Sequence, residues 1–273
     1  NIFANCNNLA TLTIGESVAK LSHYIFSDCK SLTTLNYNAE NCYSIGWYVF
    51  PSSIKTLNIG ELVKTIKDNT FDGCTGLTTV NYNAENCTSS GYWPLFDDCS
   101  KLTTLNIGDS VKTIPDYAFY KCAGIITINC YVKVPPTINS NTFTSDVYNK
   151  ATLHVVKRCK DAYAGADYWR NFKNIVDDLR SVNYVDPEQL QLDKEKITAY
   201  VGNTIEVLAT LSPDNVTEKC VTWSVSDSTI LEITKVNDLS VEVLVLKEGV
   251  ANIVATSVDG SNLTATCEVT VEP

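Results

Sequence analysis

An internal repeat in the first part of the chain constrains the fold more than any other feature. The stretch Leu102–Cys122 follows the template L-x-x-L-x-I-G-x-x-V-x-x-I-x-x-x-A-F-x-x-C, and the same spacing recurs at Leu9–Cys29 and Ile54–Cys74. Units of a longer type begin at Leu32 and Leu77, between these copies. A repeat with a period of about 20–50 residues is the signature of stacked-repeat architectures. The sequence therefore predicts a solenoid.

Each unit begins with alternating apolar and polar residues, such as Leu105-Asn106-Ile107. Alternation with period two predicts a strand whose apolar side chains face the core. One unit cannot bury its own apolar face, so we expect the units to stack with one strand per coil, about 4.8 Å apart. The second apolar pair of a unit, such as Val111 and Ile114, predicts a second short strand on another face. The Phe-x-x-Cys segment then closes the coil.

The template resembles the BspA-like leucine-rich repeats of bacterial surface proteins, in which Phe and Cys recur at these positions. The run ATLHVVKRCKDAYAGADYWRNFKNI at 151–175 is similar to the segment that ends such arrays. Because an open solenoid end exposes core and strand edge, we expect residues 143–178 to form a helical cap. The spacing of Trp169, Phe172 and Ile175 predicts that they lie on one side of a helical turn and cover the last coil.

A change in charge marks the end of the repeat region. Residues 1–180 carry 16 Lys and Arg against 16 Asp and Glu, whereas residues 181–273 carry 5 against 15. We therefore predict a solenoid with its cap at 1–178, a linker at 179–187 and a second domain at 188–273. Neither half is basic, which argues against nucleic acid as a partner, because phosphate neutralisation supplies much of that affinity.

The second domain contains short alternating segments separated by turn residues, which is typical of a two-sheet sandwich. The predicted strands span 204–211, 221–225, 230–234, 240–245, 251–257 and 265–271. The words YVGNT, LSPD, VTWS and KEGVA, which begin at residues 200, 211, 221 and 247, are similar to the bacterial immunoglobulin-like group 2 domain. This resemblance implies that Trp223 packs between the sheets.

The eleven cysteines follow the repeat rather than a disulfide framework. Five follow a Phe by three residues and two occupy a valine position of the shorter units: Cys6, Cys29, Cys74, Cys99 and Cys122, then Cys42 and Cys87. A small residue at a fixed repeat position indicates a packing slot, so we expect seven buried free thiols. Cys267 and Cys220 have opposite strand parity, which favours two free thiols over a disulfide between them.

The sequence holds no recognisable catalytic constellation. His23 occupies a loop position that is Asp68 or Asp116 in other units, and His154 lies in the last predicted solenoid strand. No nucleophile elbow, phosphate-binding loop, dinucleotide glycine pattern or calcium loop occurs. We therefore predict a non-enzymatic protein without cofactor or metal. No apolar run of about 18 residues is present, so we predict no membrane span.

One candidate binding surface is the outward row of the strands. It contains Thr34, Asn36, Asn58, Thr79, Asn81 and Asn106. Stacked coils would align these residues into a flat, uncharged surface rich in hydrogen-bonding groups. The alternative is structural, because Thr favours strands and Asn ladders satisfy their own hydrogen bonds.

The other candidate surface is formed by aromatic pairs that only the longer units carry, Trp47-Tyr48 and Tyr92-Trp93. Coils two apart would place these pairs about 10 Å apart. Exposed Trp and Tyr are favoured in recognition sites. The alternative is that the rings fill the interior of a wider coil.

Together these features predict a mainly β protein: a leucine-rich-repeat solenoid, a cap and an immunoglobulin-like sandwich, secreted or on the bacterial surface. The resemblance implies adhesion to proteins or glycans of host or neighbouring cells. Two alternatives stay open, a carbohydrate-binding protein that uses the aromatic pairs and an architectural spacer. The chain starts within a repeat and without methionine, so we expect a trimmed protein, with an upstream lipid anchor as a candidate attachment, and a monomer.

Overall fold

The chain divides into two compact units, Asn1–Val182 and Asn183–Pro273, and each contains its own apolar core. The computed structural model describes residues 3–89, 94–97, 99–181, 184–259 and 261–273.

The first unit is a β-solenoid of about seven turns with a parallel main sheet. Successive strands pair in register, so that Thr34 lies beside Thr56 and Leu35 beside Leu57. The predicted stacking is therefore confirmed. The eight strands are, in sheet order, β1 (Thr11–Ile14), β3 (Thr34–Tyr37), β5 (Thr56–Ile59), β7 (Thr79–Tyr82), β9 (Thr104–Ile107), β10 (Thr127–Cys130), β11 (Thr152–Val156) and β12 (Asn174–Leu179).

A second face of the solenoid carries short strands, as the Val-x-x-Ile spacing predicts. The strands pair two by two, β2 with β4 and β6 with β8. Thr113 continues this pairing through single bridges to Asn86 and Thr137. The bounds are β2 (Lys20–Leu21), β4 (Ser44–Ile45), β6 (Thr65–Ile66) and β8 (Thr88–Ser89).

The phenylalanines of the Phe-x-x-Cys segments form a continuous ladder through the solenoid core. Consecutive ring centroids are 5.1–6.1 Å apart and the ring planes differ by only 5–23°. The members are Phe3, Phe26, Phe50, Phe71, Phe96, Phe119 and Phe143. Offset stacking of this kind stabilises aromatic pairs beyond the area that they bury. The Phe that recurs in every unit therefore forms a continuous stack of rings along the solenoid core.

The repeat cysteines pack beside this ladder. Six of the seven predicted thiols are buried, whereas Cys6 is half-buried because it lies in the first coil, at the open end of the core. In three units the thiol points at the Phe carbonyl oxygen of the preceding unit: Cys29 at Phe3 (3.1 Å), Cys99 at Phe71 (4.0 Å) and Cys122 at Phe96 (3.8 Å). All eleven cysteines are free.

The last part of the first unit differs from the prediction in its secondary structure. It contains α1 (Ser145–Lys150), β11, α2 (Lys160–Gly165), a 3-10 turn at Trp169–Asn171, and β12. The prediction that Trp169, Phe172 and Ile175 lie on one side of a helical turn is wrong. Ile175 is half-buried and pairs with Leu153 as part of the parallel edge strand β12. A three-residue spacing gives no sign of such long-range strand pairing.

Trp169 and Phe172 nevertheless belong to the solenoid core. The Trp169 Nε1–H donates to the carbonyl oxygen of Pro136 at 2.7 Å. The buried Tyr163 hydroxyl donates to the carbonyl oxygen of Val132 at 2.7 Å. These side chains therefore bury apolar area without leaving their own polar atoms unpaired.

The second unit is a two-sheet β-sandwich with sheet orders β13-β15-β18-β17 and β14-β20-β19-β16. Its strands are β13 (Gln189–Leu192), β14 (Lys196–Tyr200), β15 (Thr204–Ser212), β16 (Val221–Val225), β17 (Leu231–Val236), β18 (Ser240–Val245), β19 (Gly249–Ser257) and β20 (Thr264–Glu272). Six of them match the predicted strands, whereas β13 and β14 were not predicted. These two segments are only four and five residues long, and their pairing with β15 and β20 defines them.

Trp223 lies on β16, half-buried, and packs against two apolar clusters of the sandwich. The strand parity of Cys267 correctly predicts an inward side chain, which is fully buried in the core. Cys220 is buried immediately before β16. Both thiols are free, as the opposite parities predict.

Candidate binding surface of the solenoid

The outer side of the main sheet carries the predicted Thr and Asn row. Each Asn Nδ2 donates to the side-chain oxygen one coil earlier, which makes a continuous ladder. The donors and acceptors are Asn36 and Thr13 (3.1 Å), Asn58 and Asn36 (2.6 Å), Asn81 and Asn58 (2.6 Å), Asn106 and Asn81 (2.6 Å), and Asn129 and Asn106 (2.7 Å). The structure therefore brings Thr34, Asn36, Asn58, Thr79, Asn81 and Asn106 onto one half-buried face.

This ladder uses half of the hydrogen-bonding capacity of its internal members. An Asn side chain has two N–H donors and a carbonyl oxygen with two lone pairs. An internal member such as Asn81 donates one bond and accepts one within the ladder. The face is flat and uncharged, and its bonds link each coil to the next, which favours a structural role in holding neighbouring coils in register.

Trp47 and Tyr48 lie in the turn before Phe50 and project into solvent. Their exposed fractions are 67% and 50%. Rings that fill a coil interior would be buried, so this pair does not serve as core. Tyr92 and Trp93 lie outside the described residues.

Two rings of the preceding coil extend this aromatic surface. Tyr24 stacks on Tyr48 with ring centroids 5.9 Å apart and 16° between the planes. Trp47 meets His23 edge to face at 5.7 Å, and the Trp47 backbone N–H donates to His23 Nδ1 at 2.9 Å. We name these four residues (His23, Tyr24, Trp47 and Tyr48) the aromatic turn patch. All four are exposed.

Sequence reasoning missed Tyr24 and the aromatic role of His23. The signal was available, because Tyr24 and Tyr48 occupy the same repeat position, two residues before the Phe of their units. A comparison of equivalent positions in all aligned units, rather than in the longer units alone, identifies both tyrosines.

Both tyrosines have a left-handed backbone conformation, with φ of 56° at Tyr24 and 49° at Tyr48. A bulky residue rarely adopts this conformation, and residues in sparsely populated backbone regions cost about 1–3 kcal/mol each. The equivalent residue of the next coil is Asn69, with φ of 59°, and Asn tolerates this conformation well. Tyr117 of a later coil has the same conformation, with φ of 55°, so the left-handed turn belongs to the repeat and does not by itself mark a binding site.

Gly73 makes room for the Tyr48 ring. A Cβ at this position would lie 2.8 Å from Tyr48 Cδ1, and the Gly73 φ of +81° also disfavours a side chain. Gly73 of the next coil therefore lets the Tyr48 ring approach the backbone closely.

A groove of about 520 Å³ lies beside the two tyrosines. This volume falls within the range of about 300–1,000 Å³ that is usual for ligand sites. The polar groups along its walls include Asp28, Lys30, Ser52 and Thr75. Within the described ranges, neither the Asp28 carboxylate nor the Lys30 ammonium makes a side-chain hydrogen bond or an ion pair.

Two other cavities of the solenoid are less suited to recognition. A cleft of about 910 Å³ includes the ion pair of Glu85 with Lys112, and the ammonium lowers the pKa of the exposed Glu85 carboxyl through a hydrogen bond and its charge. An apolar groove of about 670 Å³ contains Leu9, Leu12 and Phe26 and is the open end of the core at the first coil.

The buried tyrosines and cysteines of the core are packing groups. The Tyr37 and Tyr82 hydroxyls lie beside the Cys42 and Cys87 thiols but make no hydrogen bond of ordinary geometry. Burial raises the pKa of Cys87 to about 11 and raises the pKa of Tyr82 as well. The Cys87 thiol and the Tyr82 hydroxyl therefore stay uncharged near neutral pH.

The titratable groups give no indication of catalysis. His154 Nδ1 lies 2.9 Å from the Asp178 carboxylate, in an exposed pair on the last two solenoid strands. Among the residues that the structure describes, no three His, Cys, Asp or Glu side chains are grouped to hold a metal ion. No helix in the same residues combines the length and hydropathy of a membrane span.

Comparison with known families agrees with this architecture. The profile of the BspA type leucine rich repeat region matches in six copies, over residues 1–93 and 52–163. The profile of the bacterial Ig-like domain (group 2) matches residues 188–269.

Two uncharacterized proteins of Clostridium acetobutylicum are similar to part of the chain. One is 36% identical over 97 residues, which are 36% of this chain and 23% of that protein. The other is 35% identical over 82 residues, which are 30% of this chain and 8% of that protein. The chain thus spans less than a quarter of the length of either relative.

Modules of these two kinds fit a surface-associated protein-interaction role, and nothing in them points to an enzyme. They are typical of bacterial surface or extracellular proteins. With the repeat profile covering residues 1–163 of 273 and the group 2 domain following it, the chain belongs to the BspA-type leucine-rich-repeat family and carries a bacterial Ig-like domain.

Proposed function

We propose that this protein is a non-catalytic adhesin at the bacterial surface or in its surroundings, which binds macromolecules of host or neighbouring cells through the turn side of its solenoid. The aromatic turn patch carries the proposal. Its four exposed rings lie on adjacent coils and hold one another in place. Rigid aromatic side chains provide contact area at a low cost in conformational entropy, which is why recognition surfaces favour them.

The rest of the molecule supports this role by holding the patch rigid and presenting it. The turn lies directly on the buried Phe ladder, so binding need not order a flexible segment. The second unit, with 5 basic against 15 acidic residues over 181–273, would serve as a strongly acidic spacer module. The Thr and Asn row would act as a secondary contact face. We expect the adhesin to work as a monomer.

Residues 143–178 would close the end of the solenoid, which keeps its core from associating with other chains. The support is the burial of Tyr163, Trp169 and Phe172 in the solenoid core. Strand β12 occupies the edge of the main sheet beside β11. This edge strand carries Asp177 and Asp178, and charged side chains on an edge strand disfavour pairing with other chains.

Binding of the full chain to immobilised extracellular matrix proteins and to cultured epithelial cells tests the proposal. The double variant Trp47→Ala/Tyr48→Asn should lose most binding, because it removes two of the four rings of the aromatic turn patch. The matched control is Tyr117→Asn, at the same repeat position three coils away with φ of 55°. It should bind like the unaltered chain. Binding that survives deletion of residues 1–182 would contradict an adhesive solenoid.

A further inference from the structure

The groove beside Tyr24 and Tyr48 combines aromatic rings with polar groups in a way that narrows the choice of ligand. The two rings form a stacked step on one side. The rim adds the Asp28 carboxylate, the Lys30 ammonium and the hydroxyls of Ser52 and Thr75. A ligand that fills this groove needs an apolar face for the rings and hydrogen-bonding groups around its edge.

A pyranose ring has this division of surface. Its C–H groups form an apolar face that packs against an aromatic ring, and its hydroxyls lie around the rim as donors and acceptors. The Asp28 carboxylate can accept from such hydroxyls and the Lys30 ammonium can donate to them. Hydrogen bonds with an ionised partner are shorter and stronger than neutral ones.

The charges of the rim favour a neutral ligand. Asp28 and Lys30 carry opposite charges and both line the groove. An anionic ligand would be attracted by Lys30 and repelled by Asp28, and a cationic ligand the reverse, so the rim gives neither a net advantage. A neutral, hydroxyl-rich ligand can use both charged groups as hydrogen-bonding partners.

The lining does not suit a peptide. Hydrophobic anchor residues of peptides bind in well-packed apolar pockets. The described lining residues include no Leu, Ile, Val or Met, and the buried Phe50 belongs to the core ladder. Sugar stacking on Tyr24 and Tyr48 remains as the interaction that uses the groove fully.

The next coil leaves room for one of the two rings. A Cβ at Gly73 would lie 2.8 Å from Tyr48 Cδ1, so the glycine lets the Tyr48 ring stay beside the groove.

From this arrangement we infer that the groove binds a neutral hexopyranose unit of a glycan, with Tyr24 and Tyr48 as the stacking platform and Asp28 and Lys30 as hydrogen-bonding partners. The inference rests on the proposed function, because it names the ligand class for the same surface. It assigns roles to Tyr24, Asp28 and Lys30, which the repeat pattern did not single out.

The test is isothermal titration calorimetry of the full chain with maltotetraose, cellotetraose, mannotetraose and lacto-N-tetraose, preceded by an array of neutral glycans. At least one probe should bind. The variant Tyr24→Asn/Tyr48→Asn should weaken that binding about tenfold or more, because it removes two stacking rings. Asp28→Asn keeps a residue that tolerates the left-handed backbone and should weaken binding by a smaller factor.

Tyr117→Asn is the matched control and should leave the affinity unchanged, while circular dichroism melting checks that every variant folds. Absence of binding to all four tetrasaccharides and to the array overturns the inference, as does full affinity in the double tyrosine variant. If adhesion to matrix proteins depends on the patch but survives enzymatic deglycosylation of those proteins, the ligand is a polypeptide. That outcome overturns the glycan inference and leaves the proposed function standing.

Discussion

On the strand face of the solenoid, Asn58, Asn81 and Asn106 repeat in register and bond to one another. On the turn face, Tyr24 and Tyr48 repeat as well, but they are exposed and hold strained backbones. The first face uses identical residues to join coils. The second keeps side chains that the coil does not need. In a repeat protein, side chains that join neighbouring coils explain the fold, and repeated side chains that stay exposed are the better candidates for recognition.

The largest loss of stability is expected from a substitution in the solenoid core, which lies beneath both faces. Phe71 is fully buried, and its ring contacts Phe50 at 6.0 Å and Phe96 at 5.2 Å. Phe71→Ala should lower the free energy of unfolding by about 3–5 kcal/mol, through lost burial and a cavity. Urea denaturation measures it. Phe3→Ala is the matched control, because Phe3 ends the ladder and is 45% exposed, so a comparable loss there would contradict a packing ladder.

The raised pKa of the buried Cys87 thiol predicts that the folded protein loses stability in alkaline solution. The Cys87 pKa rises from its ordinary 9.0 to about 11 on burial, so between these values the unfolded chain loses a proton that the folded chain keeps. Stability from this group is complete below pH 9 and falls as the pH approaches 11, by about 1.4 kcal/mol per pH unit.

The substitution Cys87→Val should remove the contribution of this thiol to the fall in stability with rising pH. Valine fits the site, because Val63 and Val111 occupy the same repeat position in shorter units. Urea denaturation under reducing conditions between pH 8 and 11 measures the slope. The reciprocal Val63→Cys should steepen it. An unchanged slope in both variants would show that these positions do not govern the alkaline transition.

The Asn ladder is expected to contribute a smaller amount, without a role for single members in binding. Asn81→Ala removes one donated and one accepted hydrogen bond, and should cost about 2 kcal/mol at roughly 1 kcal/mol per bond. Asn129 donates one bond at the end of the Asn ladder, so Asn129→Ala should cost about half as much. Equal costs would show that the ladder bonds do not set the stability. Loss of adhesion in Asn81→Ala would instead make the strand face the binding surface.

The smallest change in stability is expected on the turn face. Tyr48→Asn relieves the left-handed strain but loses the stack on Tyr24, so the free energy of unfolding should change by no more than about 1 kcal/mol. Thermal melting followed by circular dichroism measures it. A large drop in melting temperature would show that the ring supports the coil, and the contrast between the two faces would fail.

Much of the fold could be predicted because each repeat unit shows the same pattern of apolar and polar residues. One alternating triplet such as Leu57-Asn58-Ile59 is weak evidence for a strand, but six copies at a nearly constant spacing leave few other folds. The prediction failed where repetition stops. Ile175 and the segments Gln189–Leu192 and Lys196–Tyr200 are defined by pairing with distant strands, and the two segments are only four and five residues long, too short for alternation alone to identify them.

The candidate site shows the same limit. The sequence indicates Trp47 and Tyr48 as irregular residues, but the partners of these rings come from the preceding coil.

By itself, the sequence determined the stacked coils, the inward Phe and Cys columns, the outward Thr and Asn row and the β-sandwich that follows. These features depend on period and parity, which are properties of residue order. Only the tertiary structure decided which rings face solvent, that Tyr24 joins Tyr48, and that Asp28 and Lys30 border the same groove. Exposure and contacts between coils depend on turn geometry. The sequence alone does not tell which of the residues two positions before each Phe are exposed.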